Sequence, residues 1–477
     1  MSVSFARRGL AALAACVGLD AGALNHDLTV QPVAGGAFVV ACSNVEQDLQ
    51  AIAQSDTSPE DFWEGRLNAG QSRYIDQILA APETAVRFEA TSPDSHLYPQ
   101  TRGRAIAYVA FVCHPTPASN ADPDYVLPQS GARVPRMQPR GAAPKLVSAE
   151  EYARVLSAPA GAQAATGPAR VPLIVFSHGL GGSPISSDYL DALVDLAAYG
   201  YVVGATFHGD PRFSRIRLND IDDYFYLLTD FDKFAEMQLL RPLALSALID
   251  RLLVDPGFAG AIDVGRIGGF GTSLGGQALA NLVGARLTTT LTKSCSETAR
   301  DARVKAVVGL VPYAGQRLLP AFCDDQSGAD DVARPYLAIS GTADTTAPLH
   351  MVRQALNRFS SSRYLVEFEG TGHSYSTDQR GDVFTWMVTF FNAYLDVRAD
   401  PGAMGRFIRM ARVTGGPSDA LTIDHHVPFA GAGGETAILE FHNTVIDHYF
   451  IAGGADEIAI LTHPEQVARG WSLTGHA

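Results

Sequence analysis

Basic residues, cysteines and long apolar runs are all scarce in this sequence, and each scarcity excludes something. Thirty-six Lys and Arg stand against 50 Asp and Glu, a formal charge of −14. Nucleic acid and anionic membranes both call for a basic face, so neither is expected as a partner. Four residues are lysine (Lys145, Lys233, Lys293 and Lys305), a skew that reads as genome composition rather than chemistry. Beyond the N-terminus no stretch approaches the roughly 18 uncharged apolar residues of a spanning helix, so no transmembrane segment is expected. Cysteine accounts for 5 of 477 residues, with no C-x-x-C spacing and no His/Cys cluster, which argues against zinc. No multi-copy repeat is visible. What the chain has instead is apolar mass: 47% hydrophobic against 18% charged, enough for a large core. At ~150 residues per domain its length suggests about three units.

The N-terminus reads as an address. Arg7 and Arg8 precede an apolar run over 9–19, and Ala21-Gly22-Ala23 offers a small-x-small cleavage site. That order describes a secretory signal peptide over residues 1–23. Leu13-Ala14-Ala15-Cys16 also fits a bacterial lipoprotein box with Cys16 as the lipidated residue, and an ordinary N-terminal helix is the plain alternative. The expected location is secreted or periplasmic. Removing the signal leaves Cys42, Cys113, Cys295 and Cys323, an even number that suits an oxidising compartment and allows three pairings. Nearness in sequence favours Cys295–Cys323 and leaves Cys42 with Cys113; these two end the apolar, strand-like runs 37–41 and 106–112. Four reduced, buried thiols are the alternative.

From residue 171 short apolar runs alternate with helical patterns. Strands buried on both faces are expected at 171–177, 201–207, 266–270, 304–311, 335–340 and 364–369. Helices are expected between them at 187–199, 239–254, 274–287, 349–359 and 383–395. Such alternation means an α/β core with a mostly parallel central sheet flanked by helices, whose ligands bind beyond the carboxyl ends of the strands. The core is expected over 166–400. Before it, 24–165 reads as an N-terminal extension ending in a Pro/Ala/Gly/Ser-rich connector from 115. After it, 401–477 reads as a spacer and a small C-terminal module whose loss leaves the site intact. An insert at 210–238 carries Tyr224, Phe225 and Tyr226, either to cap a pocket or to pack into the core.

One constellation carries chemistry. Gly271-Thr272-Ser273-Leu274-Gly275 follows an expected strand and opens an expected helix, the G-x-S-x-G nucleophile elbow in its required context. A serine hydroxyl needs a base and an orienting acid, in the chain order Ser, Asp, His. Asp344 follows the strand at 335–340 and His373 the strand at 364–369, both at the correct sheet edge. Asp324, Asp325 and Asp378 are competing acids, none of which directly ends an expected strand. Oxyanion donors are expected from the Leu274 N–H and, in the loop Ser177-His178-Gly179-Leu180-Gly181-Gly182, from the Leu180 N–H. His178 is expected to brace that loop, and His208-Gly209-Asp210 to form site wall or loop support.

With these motifs in place, residues 171–400 resemble a bacterial α/β-hydrolase, and F-S-H-G-L-G at 176–181 resembles the platelet-activating-factor acetylhydrolase-like group. The resemblance implies an α/β-hydrolase fold and a serine esterase or lipase needing no cofactor. In the acetylhydrolases the triad acid follows the strand equivalent to 304–311; here that place reads Val311-Pro312-Tyr313. Asp344, one strand later, matches dienelactone-hydrolase-like enzymes and bacterial cutinases, and Asp344-Thr345-Thr346-Ala347-Pro348 resembles the acid loop of those cutinases. Acetylhydrolase substrate preference therefore does not carry over. Nor does dienelactone hydrolase chemistry, which uses cysteine where this chain has Ser273. A weaker resemblance over 440–475, with Asp447-His448-Tyr449-Phe450 and Gly470-Trp471, is to a repeat of unknown function appended to secreted bacterial hydrolases. His425, His426, His442 and His448 cluster there, but without acidic or cysteine ligands at metal spacing they read as surface and core histidines.

The function expected from sequence is a secreted carboxylic-ester hydrolase acting on small-molecule or polymeric esters through an acyl-enzyme, with no metal. The alternative is a binding or adhesion protein whose hydrolase domain is inert. Oligomeric state leaves no mark in the sequence.

Overall fold

The computed structural model describes residues 35–42, 86–126, 132–138, 142–156, 169–216, 221–395, 407, 424–426, 439–452, 461 and 464–474. The signal-like segment with Cys16 lies outside them, as do parts of the connector and spacer. A ten-stranded sheet organises the chain. Its strands are β1 (Val39–Cys42), β2 (Val86–Thr91), β3 (Ala105–Thr116), β4 (Val171–Ser177), β5 (Val202–Phe207), β6 (Ile262–Thr272), β7 (Val304–Leu310), β8 (Tyr336–Gly341), β9 (Arg363–Phe368) and β10 (Asp424–His426). The order across the sheet is β1-β3-β5-β4-β6-β7-β8-β9-β10, with β2 also paired to β3. Strands β4 to β9 run parallel. Both flanks are antiparallel: β1, β2 and β3 on one side, β10 on the other.

The parallel strands are apolar throughout because helices cover both of their faces. Every residue of β4 and β5 is buried. The α-helices described up to residue 395 are α1 (Ala149–Val155), α2 (Ser187–Ala198), α3 (Ile221–Thr229), α4 (Phe231–Val254), α5 (Leu274–Leu282), α6 (Leu349–Leu356) and α7 (Thr377–Leu395). One face packs Phe176, Phe270, Val308 and Ile339 against Leu190 and Leu193 of α2 and Trp386, Met387 and Phe390 of α7. The other packs Val175, Val307 and Ala338 against Leu245 and Leu248 of α4, Leu279 of α5 and Val352 of α6. This three-layer arrangement, with crossover helices between parallel strands, is the α/β-hydrolase fold.

The stretch 24–165, which reads in sequence as an extension preceding the core, is joined to it. Strand β3 pairs with β5 over Val109–Cys113, and Cys42 faces Cys113 across β1 and β3, where the two form a disulfide. The loop between β2 and β3 is fastened from the core side. Glu236 of α4, fully buried, accepts hydrogen bonds from the Gln100 and Thr101 N–H groups and from the Thr101 hydroxyl. These contacts span 135 or more residues, and pairing at that range leaves no periodic trace in sequence. The connector also holds structure: α1 is capped by Ser148, and its Tyr152 hydroxyl donates to the Gly200 carbonyl.

Residues beyond 400 also touch the core sheet. Phe407 is buried, with its ring 4.9 Å from that of Tyr364 and 5.4 Å from that of Phe390. Strand β10 covers the edge of β9 that would otherwise be exposed. Beyond it, β11 (Leu439–Asn443), β12 (His448–Ala452) and β13 (Trp471–Leu473) form a separate three-stranded sheet around Phe441, Ala452 and Leu461. The second disulfide joins Cys295 to Cys323. Among the described residues no helix is long and apolar enough to cross a membrane.

Candidate active site

The elbow follows from close packing. A Cβ on Gly275 would collide with the Ser177 carbonyl, and one on Gly271 with the backbone of Gly275. Strand β6 can therefore turn directly into α5 only with glycine at both places. The turn puts Ser273 at φ 55°, ψ −118°, a left-handed conformation rare for a residue with a side chain. It is held there by its own N–H donating to the Leu310 carbonyl (2.8 Å) and its carbonyl accepting from Tyr313 N–H (2.9 Å).

The structure brings Ser273, His373 and Asp344 together. The Ser273 hydroxyl lies 2.9 Å from His373 Nε2, and His373 Nδ1 lies 2.7 Å from Asp344 Oδ2. A carboxylate only accepts, so Nδ1 carries the proton toward Asp344 and Nε2 is left to accept from the serine. Oδ1 of Asp344 accepts the N–H groups of Thr346 and Ala347, each at 2.8 Å, which fixes the carboxylate plane. The acid and histidine loops are stitched together: Ala343 N–H donates to the Thr371 carbonyl (2.9 Å) and Gly370 N–H to the Thr342 hydroxyl (2.8 Å). The Asp344 side chain is inaccessible to solvent, whereas that of His373 is 29% exposed.

Two of the competing acids lie elsewhere. Asp324 pairs with Lys293 and Asp325 with Arg358 on the surface, while the side chain of Asp378 is outside the described residues. The position after β7 is Val311, a β-branched residue at φ 41° whose N–H donates to the Ile339 carbonyl.

The loop 177–182 lies against Ser273: a Cβ on Gly179 would stand 3.6 Å from that of Ser273. Arg241 of α4 organises this loop from behind, 1% exposed and paired with Asp210, which is equally buried. Its guanidinium donates to the carbonyls of His178 (2.5 Å) and Gly179 (3.1 Å), and Asp210 accepts the Gly181 N–H (3.2 Å). His178 Nδ1 also donates to the Gly179 carbonyl (2.7 Å), while its Nε2 accepts the His208 N–H (3.2 Å). The Gly179 carbonyl and the Leu180 N–H belong to one trans peptide, so two donors on the first aim the second the opposite way. Leu274 opens α5, so its N–H is among the first-turn donors with no intrahelical acceptor.

Burial opposes ionisation of Asp210, yet Arg241 and His178 beside it hold its carboxyl below the usual range. His208 is also lowered, which for an imidazole favours the neutral form. Burial first, and then Arg241, His178 and Arg212, keep its imidazole well below 6.5 and neutral. His208 Nε2 lies 2.8 Å from the Ser177 hydroxyl. Asp210 and His208 thus support the loop, and Arg241 is the residue that sequence reading missed. Its only signal was a charged side chain within the apolar stretch Leu239-Leu240-Arg241-Pro242-Leu243.

The insert divides the two readings of its aromatics. Tyr226 packs against the core and under Arg215, 3.7 Å from ring centre to guanidinium, while Phe225 is exposed; the Tyr224 side chain is outside the described residues. In the C-terminal sheet His442 bonds Asp447 and stacks on Tyr449, and the side chains of His425 and His426 are outside the described residues. Among the described residues no group of three or more His, Cys, Asp or Glu could hold a metal ion.

Sheet, crossover helices and elbow together are those of the α/β-hydrolase fold. A family model described as platelet-activating factor acetylhydrolase, isoform II, matches residues 146–215, and this match supports a hydrolase of the lipase and esterase type. The matched stretch takes in α1, β4, the 177–182 loop, α2, β5 and Asp210, and ends at residue 215, before Ser273. No curated protein matches the chain.

Proposed function

We propose that the protein is a secreted serine carboxylic-ester hydrolase working through an acyl-enzyme. The observation that carries this reading is the continuous hydrogen-bond chain Ser273–His373–Asp344, with its serine on a strained elbow and its acid buried. Ser273 Oγ attacks the ester carbonyl carbon while its proton passes to His373 Nε2. Asp344 holds the imidazole tautomer and stabilises the cation that forms. The N–H groups of Leu180 and Leu274 receive the developing oxyanion. His373 then gives its proton to the departing alcohol oxygen, and water repeats the sequence to free the acid. Export is supported by the two disulfides, which persist outside a reducing cytosol. A pure binding role has no use for three groups held at these distances.

The test is labelling by a fluorophosphonate, whose adduct mimics the tetrahedral intermediate. The label is expected on Ser273 and absent from Ser273→Ala, alongside turnover of p-nitrophenyl esters. Label on another serine, or none on folded protein, would overturn the mechanism.

A further inference from the structure

A cavity of about 340 Å³ opens beside the triad, between α2 and α7. Its wall includes His373, Ser374 and Thr272 but not Ser273, Leu180 or Leu274. Its apolar surface comes from Phe270 and Leu310 of the sheet, Ala192 of α2, and Val383 and Met387 of α7. Asp191, Asp195 and Arg380 line it as exposed residues, so its charged groups sit toward solvent.

We infer that this cavity receives the alcohol portion of the ester, not the acyl portion, and selects apolar alcohols bearing an aromatic ring or a branched alkyl group. The inference rests on the triad reading. In that mechanism the alcohol oxygen takes its proton from His373 Nε2, so the leaving group must lie within hydrogen-bond reach of that atom. The carbonyl oxygen must point to the Leu180 and Leu274 N–H groups. His373, which bears the proton donor, lines the cavity, and none of the residues bearing the oxyanion donors does. Phe270 and Leu310 also lie on the sheet face covered by α2 and α7, opposite α5, whose first N–H is an oxyanion donor. Size is consistent with this occupant: roughly 150 Å³ of apolar space holds a benzene ring, so this cavity has room for a ring and its linker.

The consequence is kinetic. Bond cleavage to the alcohol occurs in acylation, so the cavity governs acylation and leaves hydrolysis of a given acyl-enzyme unchanged. The reverse reaction must use it too. A free alcohol in the cavity attacks the acyl carbon, passes its proton to His373, and displaces Ser273 Oγ, which takes that proton back.

Two arms test this. Wild-type enzyme turning over p-nitrophenyl acetate is given benzyl alcohol or methanol, and benzyl acetate or methyl acetate is measured. Benzyl alcohol should trap the acetyl-enzyme saturably and methanol only linearly. Ala192→Phe, which fills the cavity, should abolish that saturation and lower kcat/KM for benzyl acetate by roughly 10- to 200-fold. Methyl acetate and a methyl ester series of increasing acyl length should stay near wild type. Linear trapping by both alcohols would overturn the proposal, as would losses in Ala192→Phe that follow acyl length while the benzyl-to-methyl ratio holds. Should Ala192→Phe fail to fold, the trapping arm decides alone. Failure of fluorophosphonate to label Ser273 would instead condemn the triad itself, which separates the two readings.

Discussion

Two Ser–His pairs flank one loop, and their surroundings differ in kind. In the first, Ser273 faces His373 Nε2 while Nδ1 meets the carboxylate of Asp344. In the second, Ser177 faces His208 Nε2 at a similar distance, but His208 Nδ1 is buried with no hydrogen-bond partner among the described residues. The nearby carboxylate, Asp210, is taken by Arg241. Charge therefore works in opposite senses. A proton arriving on His373 would be balanced by Asp344, whereas one arriving on His208 would be buried beside Arg241 and Arg212. Ser177 is also the last residue of a fully buried strand, while Ser273 stands on a strained turn. Residue type does not make a nucleophile; a paired imidazole, a strained turn and solvent access do.

The largest effects should separate the pairs. His373→Ala and Asp344→Asn should each lower kcat by on the order of 10³–10⁴, with fold retained by circular dichroism. His208→Gln should keep most activity, since its partner serine is not the nucleophile. Near-wild-type rates for Asp344→Asn, with Asp324 or Asp325 variants crippled, would reassign the acid.

A smaller effect is expected at the Arg241–Asp210 pair, which sets the loop rather than the chemistry. Removing one partner leaves a buried charge unpaired, a loss of roughly 3–5 kcal/mol in stability. Released from Arg241, the Gly179–Leu180 peptide should lose its aim, lowering kcat by about 10²–10³ with little change in KM. Replacing both partners by apolar residues (Arg241→Met with Asp210→Leu) should recover much of the stability but not the rate. If kcat returns together with the melting temperature, the pair is structural only.

The smallest effect is a pH dependence of stability. His208 titrates well below its ordinary value of 6.5 when folded, and buried His114 likewise falls to about 4. Both bind a proton more readily when unfolded, so their contribution is intact above about 6.5 and lost as pH falls from there toward the folded values. The contribution of Asp210, whose carboxyl is also held low, is lost only below its ordinary value of 3.8. Denaturant midpoints at pH 7, 5.5 and 4.5 should decline, and less steeply in His208→Gln. An unchanged slope in that variant would show that its imidazole is not held neutral.

Local pattern determined a great deal. Buried parallel strands are continuous apolar runs, helices repeat every three or four residues, and a strand turning sharply into a helix demands glycine. Each of these is visible within a window of a dozen residues. The α/β class, the elbow at Ser273 and the loops bearing Asp344 and His373 were therefore legible. So were the four cysteines and the pairing that nearness in sequence favoured, for which the strand register supplies the reason by setting Cys42 opposite Cys113. Tertiary structure alone decided what depends on distant partners. It joined β1 to β3 to the core sheet, laid β10 along β9, and set Arg241 against a loop more than 60 residues earlier in the chain. It also formed the cavity between α2 and α7. Contacts of that range obey shape and charge rather than periodicity, and a buried arginine differs from an exposed one only in what the folded chain brings to it.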